Sequence, residues 1–464
     1  MRSHLKALLC IVLPFTAASY GIAEDLDKAP PSFAHLGRKA VFADFSHVGL
    51  SLSFDALNGK ARARAVIEFE VREAGMPVFD MIPSAESVTL DGVAVDRSAV
   101  SAVKDPDKQS TVRVLSVDVV PNQKHTLEMV YDLSGKVTFS QGTVSAGFFM
   151  SDLSDREYWE QYAPTNFEFD QYAQTMSVEI SGTDKRHEIF ANGEVEELAM
   201  NKWQVSYPSY YSTSSFYFHL VKQGRFNVSR STYQGLAAEI PLTVYSISQS
   251  NVSTGMQRLK EYMAELEGTY GAFAHPSFTA YITDSGGGME YCGATVTSLW
   301  ALGHETTHSW FARGVMPANG NAGWIDEAIA SWRDDNYPRS NGPSRSPRML
   351  GGFSPYKRFT TQDAYSYGAD LISDFDSMVA RSSDSGMKGV LRDMFATFKR
   401  QTITVQMFQG HMEQALGTSL QAFFDKYIYG RTNSGMVESR NAGWDVNWSH
   451  HPRPFTQEEL LKIR

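Results

Sequence analysis

Apolar and polar residues alternate along the first half of the chain, and helical spacing replaces this alternation after about residue 234. In residues 61–71, ARARAVIEFEV, apolar side chains occupy every second position and mostly charged side chains lie between them. This alternation is typical of a strand that buries one face. Similar runs follow at residues 110–120, 125–134, 174–182 and 214–224. Together they predict an N-terminal antiparallel β domain of sandwich or saddle type over residues 24–230.

The second half of the chain predicts helices that alternate with single strands. Apolar residues from Met256 to Tyr270 recur at helical spacing and predict a helix over residues 253–270, with Asn251 or Ser253 as its N-cap. Residues 278–285 then predict a strand, and residues 296–314 and 324–335 predict one helix each. The expected fold class is therefore α+β, in which a mixed α/β, mostly helical domain over residues 231–430 follows the β domain and residues 431–464 form a C-terminal tail.

The first 23 residues have the features of a secretory signal peptide. Arg2 and Lys6 precede an apolar run from Ala7 to Ala18, which is short for a membrane span, and no later segment is long enough for one. We therefore expect an exported protein, either periplasmic or secreted. Its formal net charge of −10 becomes −12 when the two basic residues of the leader are removed, and this balance argues against a nucleic-acid partner.

The cysteine count excludes an intrachain disulfide in the exported protein. The chain has 2 cysteines, and Cys10 lies within the leader. Cys292 then remains alone and is expected to be a small, buried packing residue. The sequence leaves the oligomeric state open.

A short segment of the second domain, GHETTHSWF at residues 303–311, contains two histidines four positions apart. On a helix such residues lie on one face, so the Nε2 atoms of His304 and His308 can converge on one metal ion. Glu305 lies beside them as a candidate general base for a water on that ion. The alternative for this motif alone is an ordinary buried helix whose histidines bond the backbone.

A third candidate ligand favours the metal hypothesis. Glu327 follows His308 after 18 intervening residues, within a predicted helix. Two histidines and a glutamate leave a fourth coordination position for water, as a catalytic zinc ion requires. Asp334 lies on the same side of the predicted helix, where it either accepts the free ring N–H of a histidine ligand or faces solvent. These residues predict one Zn²⁺ per chain.

The motifs in combination resemble those of the M1 zinc aminopeptidases, a family within the gluzincins. H-E-x-x-H, the 18-residue spacing to Glu327 and the segment GGMEY at residues 287–291 carry this resemblance. It implies a thermolysin-like catalytic domain and an edge strand that pairs with the substrate backbone. The residues implied for this substrate-binding strand are Gly287, Gly288, Met289 and Glu290. Glu290 would hold the free α-amine of the substrate.

Two weaker matches extend the resemblance. The segment AYSYGADLI at residues 364–372 resembles one whose tyrosine stabilises the oxyanion, which implies this catalytic role for Tyr365 instead of simple packing. The segment EQYAPTN at residues 160–166 resembles one whose glutamine joins the amine-binding group, which implies Gln161, with Glu160 as the competing candidate.

The chain also departs from the family pattern. Tyr291 replaces the usual asparagine, Tyr367 stands where lysine is usual, and the stretch from Glu290 to His304 is shorter than is typical. The large C-terminal helical domain of longer members is absent, which predicts a more open cleft.

The complete pattern predicts a zinc-dependent aminopeptidase that acts on peptides with a free N-terminus and uses Glu305 as the general base. A zinc endopeptidase, a glycyl-aminopeptidase type of gluzincin and a catalytically weak peptide-binding protein are the alternatives. A basic loop over residues 336–360 either borders the cleft or is solvated surface paired with acidic groups.

Overall fold

The computed structural model describes most of the chain between the predicted leader and the predicted tail. The described residues are 23–148, 159–284, 286–340, 345–381, 384–432, 435–436, 453–454 and 459. The leader prediction therefore falls almost entirely outside the described residues, as does most of the predicted tail.

Strands dominate the chain up to residue 246. Its elements are α1 Ala23–Leu26, β1 Phe33–His35, β2 Arg38–Asp55, β3 Lys60–Val71, β4 Met76–Phe79, β5 Ala85–Leu90, β6 Val93–Val95, β7 Val100–Lys104, β8 Thr111–Leu115, β9 His125–Asp132, β10 Thr138–Ser140, β11 Thr143–Phe148, β12 Ala173–Ser181, β13 His187–Ala191, β14 Glu194–Ala199, β15 Lys202–Tyr207, β16 Phe218–Lys222, β17 Asn227–Gln234 and β18 Glu239–Ser246.

Helices dominate the rest of the described chain. Its elements are α2 Gln249–Tyr270, β19 Phe278–Thr283, β20 Gly287–Tyr291, β21 Ala294–Ser298, α3 Leu302–Thr307, β22 Met316–Pro317, α4 Trp324–Asp334, α5 Ser366–Val379, α6 Gly386–Phe398, β23 Thr402–Ile403, α7 Val405–Leu416, α8 Gln421–Tyr427, β24 Arg431–Thr432, β25 Gly435–Met436 and β26 Arg453–Pro454. The prediction of an α+β protein is confirmed.

A 12-stranded sheet and a four-stranded sheet build the N-terminal part. The longest path through the large sheet runs β14-β15-β12-β2-β3-β9-β5-β6, and the small sheet has the order β10-β11-β16-β13. Apolar side chains from both sheets, among them Leu50, Ile67, Met129, Val144 and Leu220, share one hydrophobic core. The alternation in residues 61–71 arises because β3 buries every second side chain in this core.

Two pairings in the large sheet differ from the expected antiparallel arrangement. Strand β12 runs parallel to β2 along its whole length, and β4 also runs parallel to β2. Parallel neighbours need a long connection between them. The chain between β2 and β12 supplies one, because it forms seven further strands of this sheet before it returns beside β2.

A six-stranded sheet and the helices form the second part. The sheet has the order β17-β18-β19-β21-β20-β26, and β17 spans the predicted domain boundary at residue 230. Helices α2, α4, α5, α6 and α7 contribute to a second large core, which includes Leu259, Ile329, Phe375, Leu391 and Phe408. Among the described residues, no helix combines the length and apolar character needed to cross a membrane.

Two helix predictions were wrong in their extent. Helix α2 begins at Gln249 because the hydroxyl of Ser248 accepts the backbone N–H of Asn251, so Ser248 is the N-cap. The predicted helix over residues 296–314 contains only α3, since its first residues belong to β21 and pair with β19 and β20. Threonine and valine favour this strand, and its burial on both faces hides the period of two.

Candidate metal centre

Two histidines and a glutamate meet in the buried interior beside β20. His304 lies in α3, His308 caps the C-terminal end of that helix, and Glu327 lies in the first turn of α4. The Nε2 atoms of His304 and His308 lie 3.2 Å and 3.5 Å from Oε2 of Glu327. One ligand atom from each residue lies within 4.8 Å of the other two, so this group is able to hold a metal ion.

The second nitrogen of each imidazole fixes its orientation. Nδ1 of His304 lies 2.6 Å from Oδ2 of Asp334, and Nδ1 of His308 lies 3.1 Å from the carbonyl oxygen of Phe311. Because both partners are acceptors, each Nδ1 carries the hydrogen and the Nε2 lone pair of the neutral ring faces Glu327. Two lone pairs and a carboxylate directed at one point fit a cation, and the donor set suits zinc.

The electrostatics of the group agree with this arrangement. Burial alone would lower the pKa of His304, but the carboxylates of Asp334 and Glu327 raise it to about 10. Burial would raise the pKa of Glu327, yet the neighbouring imidazoles hold it well below its usual value. Protons on the imidazoles and a metal cation are alternative ways to neutralise these carboxylates, so metal binding releases protons.

Glu305 presents a carboxylate to the same space. It is 3% exposed, and its Oε2 has no hydrogen-bond partner among the described residues. Burial raises its pKa to about 8. The other oxygen packs so closely on β20 that a Cβ atom at Gly288 would overlap the carboxylate. Gly288 is therefore required for Glu305 to lie beside the strand.

Strand β20 divides its side chains between two environments. Met289 and Tyr291 are buried in an aromatic cluster, where Tyr291 lies 5.0 Å from the ring of Tyr217. Gly288 and Glu290 occupy the alternate positions. Carboxylate oxygens of Glu290 and Glu305 and a ring nitrogen of His308 lie within 4.8 Å of one another. Tyr291 thus packs among aromatic rings.

The edge of β20 also has a neighbour. Residues Gly287 and Gly288 pair in parallel with the backbone of Arg453 and Pro454 in β26. On its other side β20 pairs antiparallel with β21. The edge predicted for a substrate backbone is thus in contact with a later part of the same chain.

Tyr365 lies against a candidate metal ligand. Its hydroxyl donates to Oε1 of Glu327 at 2.9 Å, and its ring lies nearly parallel to that of His304, with centroids 6.3 Å apart. Tyr367 has a different environment: its hydroxyl bonds the carbonyl oxygen of Ser346 at 3.3 Å.

Solved structures share this architecture. No protein-family model and no curated protein matches the sequence. Aminopeptidase A of Legionella pneumophila, in complex with aspartic acid, is similar with a TM-score of 0.62 and 16% identity, over 83% of this chain and 49% of that one. An M1 zinc metallopeptidase of Deinococcus radiodurans is similar with a TM-score of 0.60 and 14% identity, over 86% of this chain and 96% of that one. A variant of the Deinococcus protein, bound to a Tyr-Ser-Ala substrate, gives a TM-score of 0.59.

This chain has the M1 zinc metallopeptidase fold. The resemblance read from the motifs is confirmed at the level of the fold. The chain spans about half the length of the Legionella protein and nearly all of the Deinococcus protein.

Gln161 is fully buried at the end of a short 3-10 helix over Trp159–Gln161. Its Oε1 accepts a hydrogen bond of 3.4 Å from Nζ of Lys136, and its buried Nε2 has no partner in the described part of the chain. The place of Gln161 in the amine-binding group stays a prediction. The competing candidate, Glu160, is also buried in this turn.

Two charged residues of the site were missed by sequence reasoning. Arg313 pairs with Glu290 at 2.7 Å, and both side chains are buried. Asp326 precedes Glu327 and is also buried, which raises its pKa to about 7. The sequence did contain a signal for Arg313, because this arginine lies in the largely apolar segment SWFARGV at residues 309–315. A buried segment of this kind predicts that the arginine is buried with it and has an acidic partner, since an unpaired arginine is rarely buried.

The basic loop is paired with acidic groups. Arg345 contacts Asp374 at 3.2 Å and Arg348 contacts Asp363, while Arg358 is buried in contact with Asp80. These ion pairs support the interpretation that the positive charges of the loop are paired with acidic side chains from other parts of the chain.

Proposed function

We propose that this chain is a zinc-dependent aminopeptidase that removes single residues from peptides with a free N-terminus. The observation that carries this proposal is the convergence of His304, His308 and Glu327 beside two further carboxylates, those of Glu305 and Glu290. The similarity to M1 zinc metallopeptidases and to an aminopeptidase supports it. The apolar leader supports action after export, in a periplasm or outside the cell.

The three ligands would hold one Zn²⁺ through two imidazole nitrogens and one carboxylate. When bound, this ion supplies a Lewis acid that polarises a carbonyl group and lowers the pKa of water. Asp334 and the carbonyl oxygen of Phe311 keep the Nε2 lone pairs directed inward.

Glu305 moves the proton. Its Oε2 has no partner in the described chain, so this atom is available to take a proton from water and to deliver it to the leaving nitrogen of the peptide. A raised pKa suits both steps, since a carboxylate that titrates near neutral pH accepts and releases a proton readily.

Glu290 binds the substrate's ammonium group. Its carboxylate lies on the same side of β20 as Glu305, and a charge-assisted hydrogen bond from the ammonium group would fix the end of the peptide. An anchor for the chain end limits cleavage to the first peptide bond. Without this anchor role, the same centre would act as an endopeptidase.

In this proposal the single O–H of Tyr365, which donates to Glu327 in the structure, donates to the oxyanion instead when the reaction proceeds. We expect Tyr365→Phe to lower kcat by about 10²–10³-fold, in line with the loss of a single oxyanion donor. The variant also loses the hydroxyl that bonds Glu327, so zinc affinity is expected to fall by about tenfold. Steady-state kinetics at saturating zinc and competition with a chelator measure the two effects separately. An unchanged kcat would remove Tyr365 from the mechanism.

The test of the proposed function combines metal analysis with two substrates. Purified protein is expected to contain one zinc ion per chain and to hydrolyse aminoacyl amides with a free amine much faster than N-blocked peptides. Chelation should abolish turnover and lower the melting temperature, because the ion binds only the folded chain. Zinc with equal cleavage of both substrates would favour an endopeptidase, and zinc without turnover would favour a peptide-binding protein.

A further inference from the structure

The side chain of Arg313 contacts both the main chain and the side chain of Glu290. Nη2 of Arg313 donates to Oε1 of Glu290 at 2.7 Å, and Nε donates to the carbonyl oxygen of the same residue at 3.3 Å. Nη1 donates to the hydroxyl of Ser214 at 2.8 Å. Arg313 is 2% exposed. The guanidinium group therefore connects β20 to a segment of the N-terminal part of the chain.

The backbone of Arg313 is bound to a candidate metal ligand. Its N–H donates to the carbonyl oxygen of His308 at 2.9 Å, in the turn that follows α3. Ala312, within this turn, has a φ of 111°, a conformation that residues with a side chain rarely adopt. The turn thus directs Arg313 back towards β20, and a single residue links Glu290 to the end of the helix that carries both histidines.

We propose that Arg313 is a positioning residue that fixes one oxygen of Glu290 and leaves the other for the substrate's α-amine. Arg313 occupies Oε1, and none of the described residues forms a hydrogen bond to Oε2. Because the same residue is tied to His308, Arg313 sets the distance between the bound amine and the metal ligands. This inference rests on the proposed aminopeptidase function and deepens it, since that distance determines that one residue is released.

Charge and geometry make opposite predictions for this residue. The positive charge of Arg313 repels an ammonium group that approaches Glu290, so a purely electrostatic role predicts tighter amine binding when the charge is removed. A positioning role predicts weaker amine binding when the two hydrogen bonds from Arg313 to Glu290 are lost, even if the positive charge remains. Lysine keeps the charge but lacks the rigid fork of the guanidinium group.

The decisive experiment compares Arg313→Lys with a matched control, Arg358→Lys. Arg358 is another buried arginine paired with carboxylates, and it has no described contact with Glu290. In the zinc-loaded protein, we expect Arg313→Lys to raise KM for a free-amine aminoacyl amide about tenfold, which is about 1.4 kcal/mol. We expect kcat and the zinc content to change little. We expect Arg358→Lys to lower the melting temperature without this change in KM.

A binding measurement makes the result independent of turnover. In metal-free protein, an amino acid amide is expected to raise the melting temperature, and to raise it less in Arg313→Lys than in the wild type. Equal increases in both proteins, or no increase in either, would overturn the positioning role. The same holds if Arg313→Lys only loses stability, as Arg358→Lys does, while KM stays constant.

A milder variant covers the case in which Arg313→Lys does not fold. Ser214→Ala removes the hydrogen bond to Nη1 and a longer one, of 3.4 Å, to the hydroxyl of Ser212. It leaves both contacts between Arg313 and Glu290 in place, so it should raise KM in the same direction by a smaller factor, and an unchanged KM would contradict the inference. If the wild type releases no N-terminal residues, the proposed function fails. The metal-free binding comparison still decides the role of Arg313.

Discussion

Glu305→Gln is expected to lower kcat by about 10²–10⁴-fold and to retain zinc. Glutamine has nearly the same shape as glutamate, so it should fit against Gly288, but its amide cannot take a proton from water. The metal ligands do not include this residue, so the zinc content should remain at one ion per chain. Turnover of an aminoacyl amide and metal analysis of the same preparation measure both results.

The stability of Glu305→Gln supplies an internal control. Glu305 is buried and lacks a partner at Oε2 among the described residues, so its charge is costly to keep in the interior. The neutral variant should unfold at the same temperature as the wild type or higher. Glu265→Gln is the matched comparison for the unfolding temperature. Glu265 forms an ion pair with Arg333 at a more exposed position, so this substitution removes a carboxylate that has a charged partner. Substantial activity in Glu305→Gln would exclude Glu305 as the general base.

Removal of the Glu290 carboxylate is expected to affect substrates with a free amine far more than N-blocked peptides. A hydrogen bond to a charged group contributes about 1.5–3 kcal/mol, so kcat/KM for the free-amine substrate should fall by about 10- to 100-fold. Glu290→Ala shows this loss most directly. The ratio of kcat/KM between an aminoacyl amide and its N-acetylated form is the quantity to measure.

The ion pair with Arg313 makes a second variant necessary. Alanine at position 290 leaves a buried arginine without its partner, which typically costs about 3–5 kcal/mol of stability. Glu290→Gln keeps an oxygen for Arg313 and removes only the charge. Both variants should lose the preference for free amines, and Glu290→Gln should retain more stability. Equal losses on blocked and free substrates would contradict the amine-binding role.

The sequence predicted the parts of the site that depend on local geometry. His304 and His308 are four residues apart, and one helical turn with its cap is enough to align them. Glu327 was found from the apolar pattern of the second helix and from the family spacing. Asp334 lies on the same side of α4 and contacts His304, as the helical repeat indicated.

Contacts between segments that are distant in the sequence could not be predicted from local spacing. A short motif predicts a binding role for Gln161, but the neighbours of this residue depend on how the N-terminal sheets pack, and Lys136 donates a hydrogen bond to it. Arg313 contacts Glu290 only because a strained turn reverses the chain after α3. The parallel pairing of β12 with β2 likewise depends on a connection of more than one hundred residues, which the alternation within each strand does not encode.

Strand β26, the neighbour of β20, affects the binding of any peptide that would pair with β20 as an added strand. The backbone of residues 453–454 already pairs with Gly287 and Gly288, and one edge accepts one partner at a time. An incoming peptide must compete with a segment that is covalently attached and is therefore present at a high effective concentration. The dissociation constant measured for a peptide will exceed the intrinsic one by the inverse of the fraction of molecules in which this edge is open.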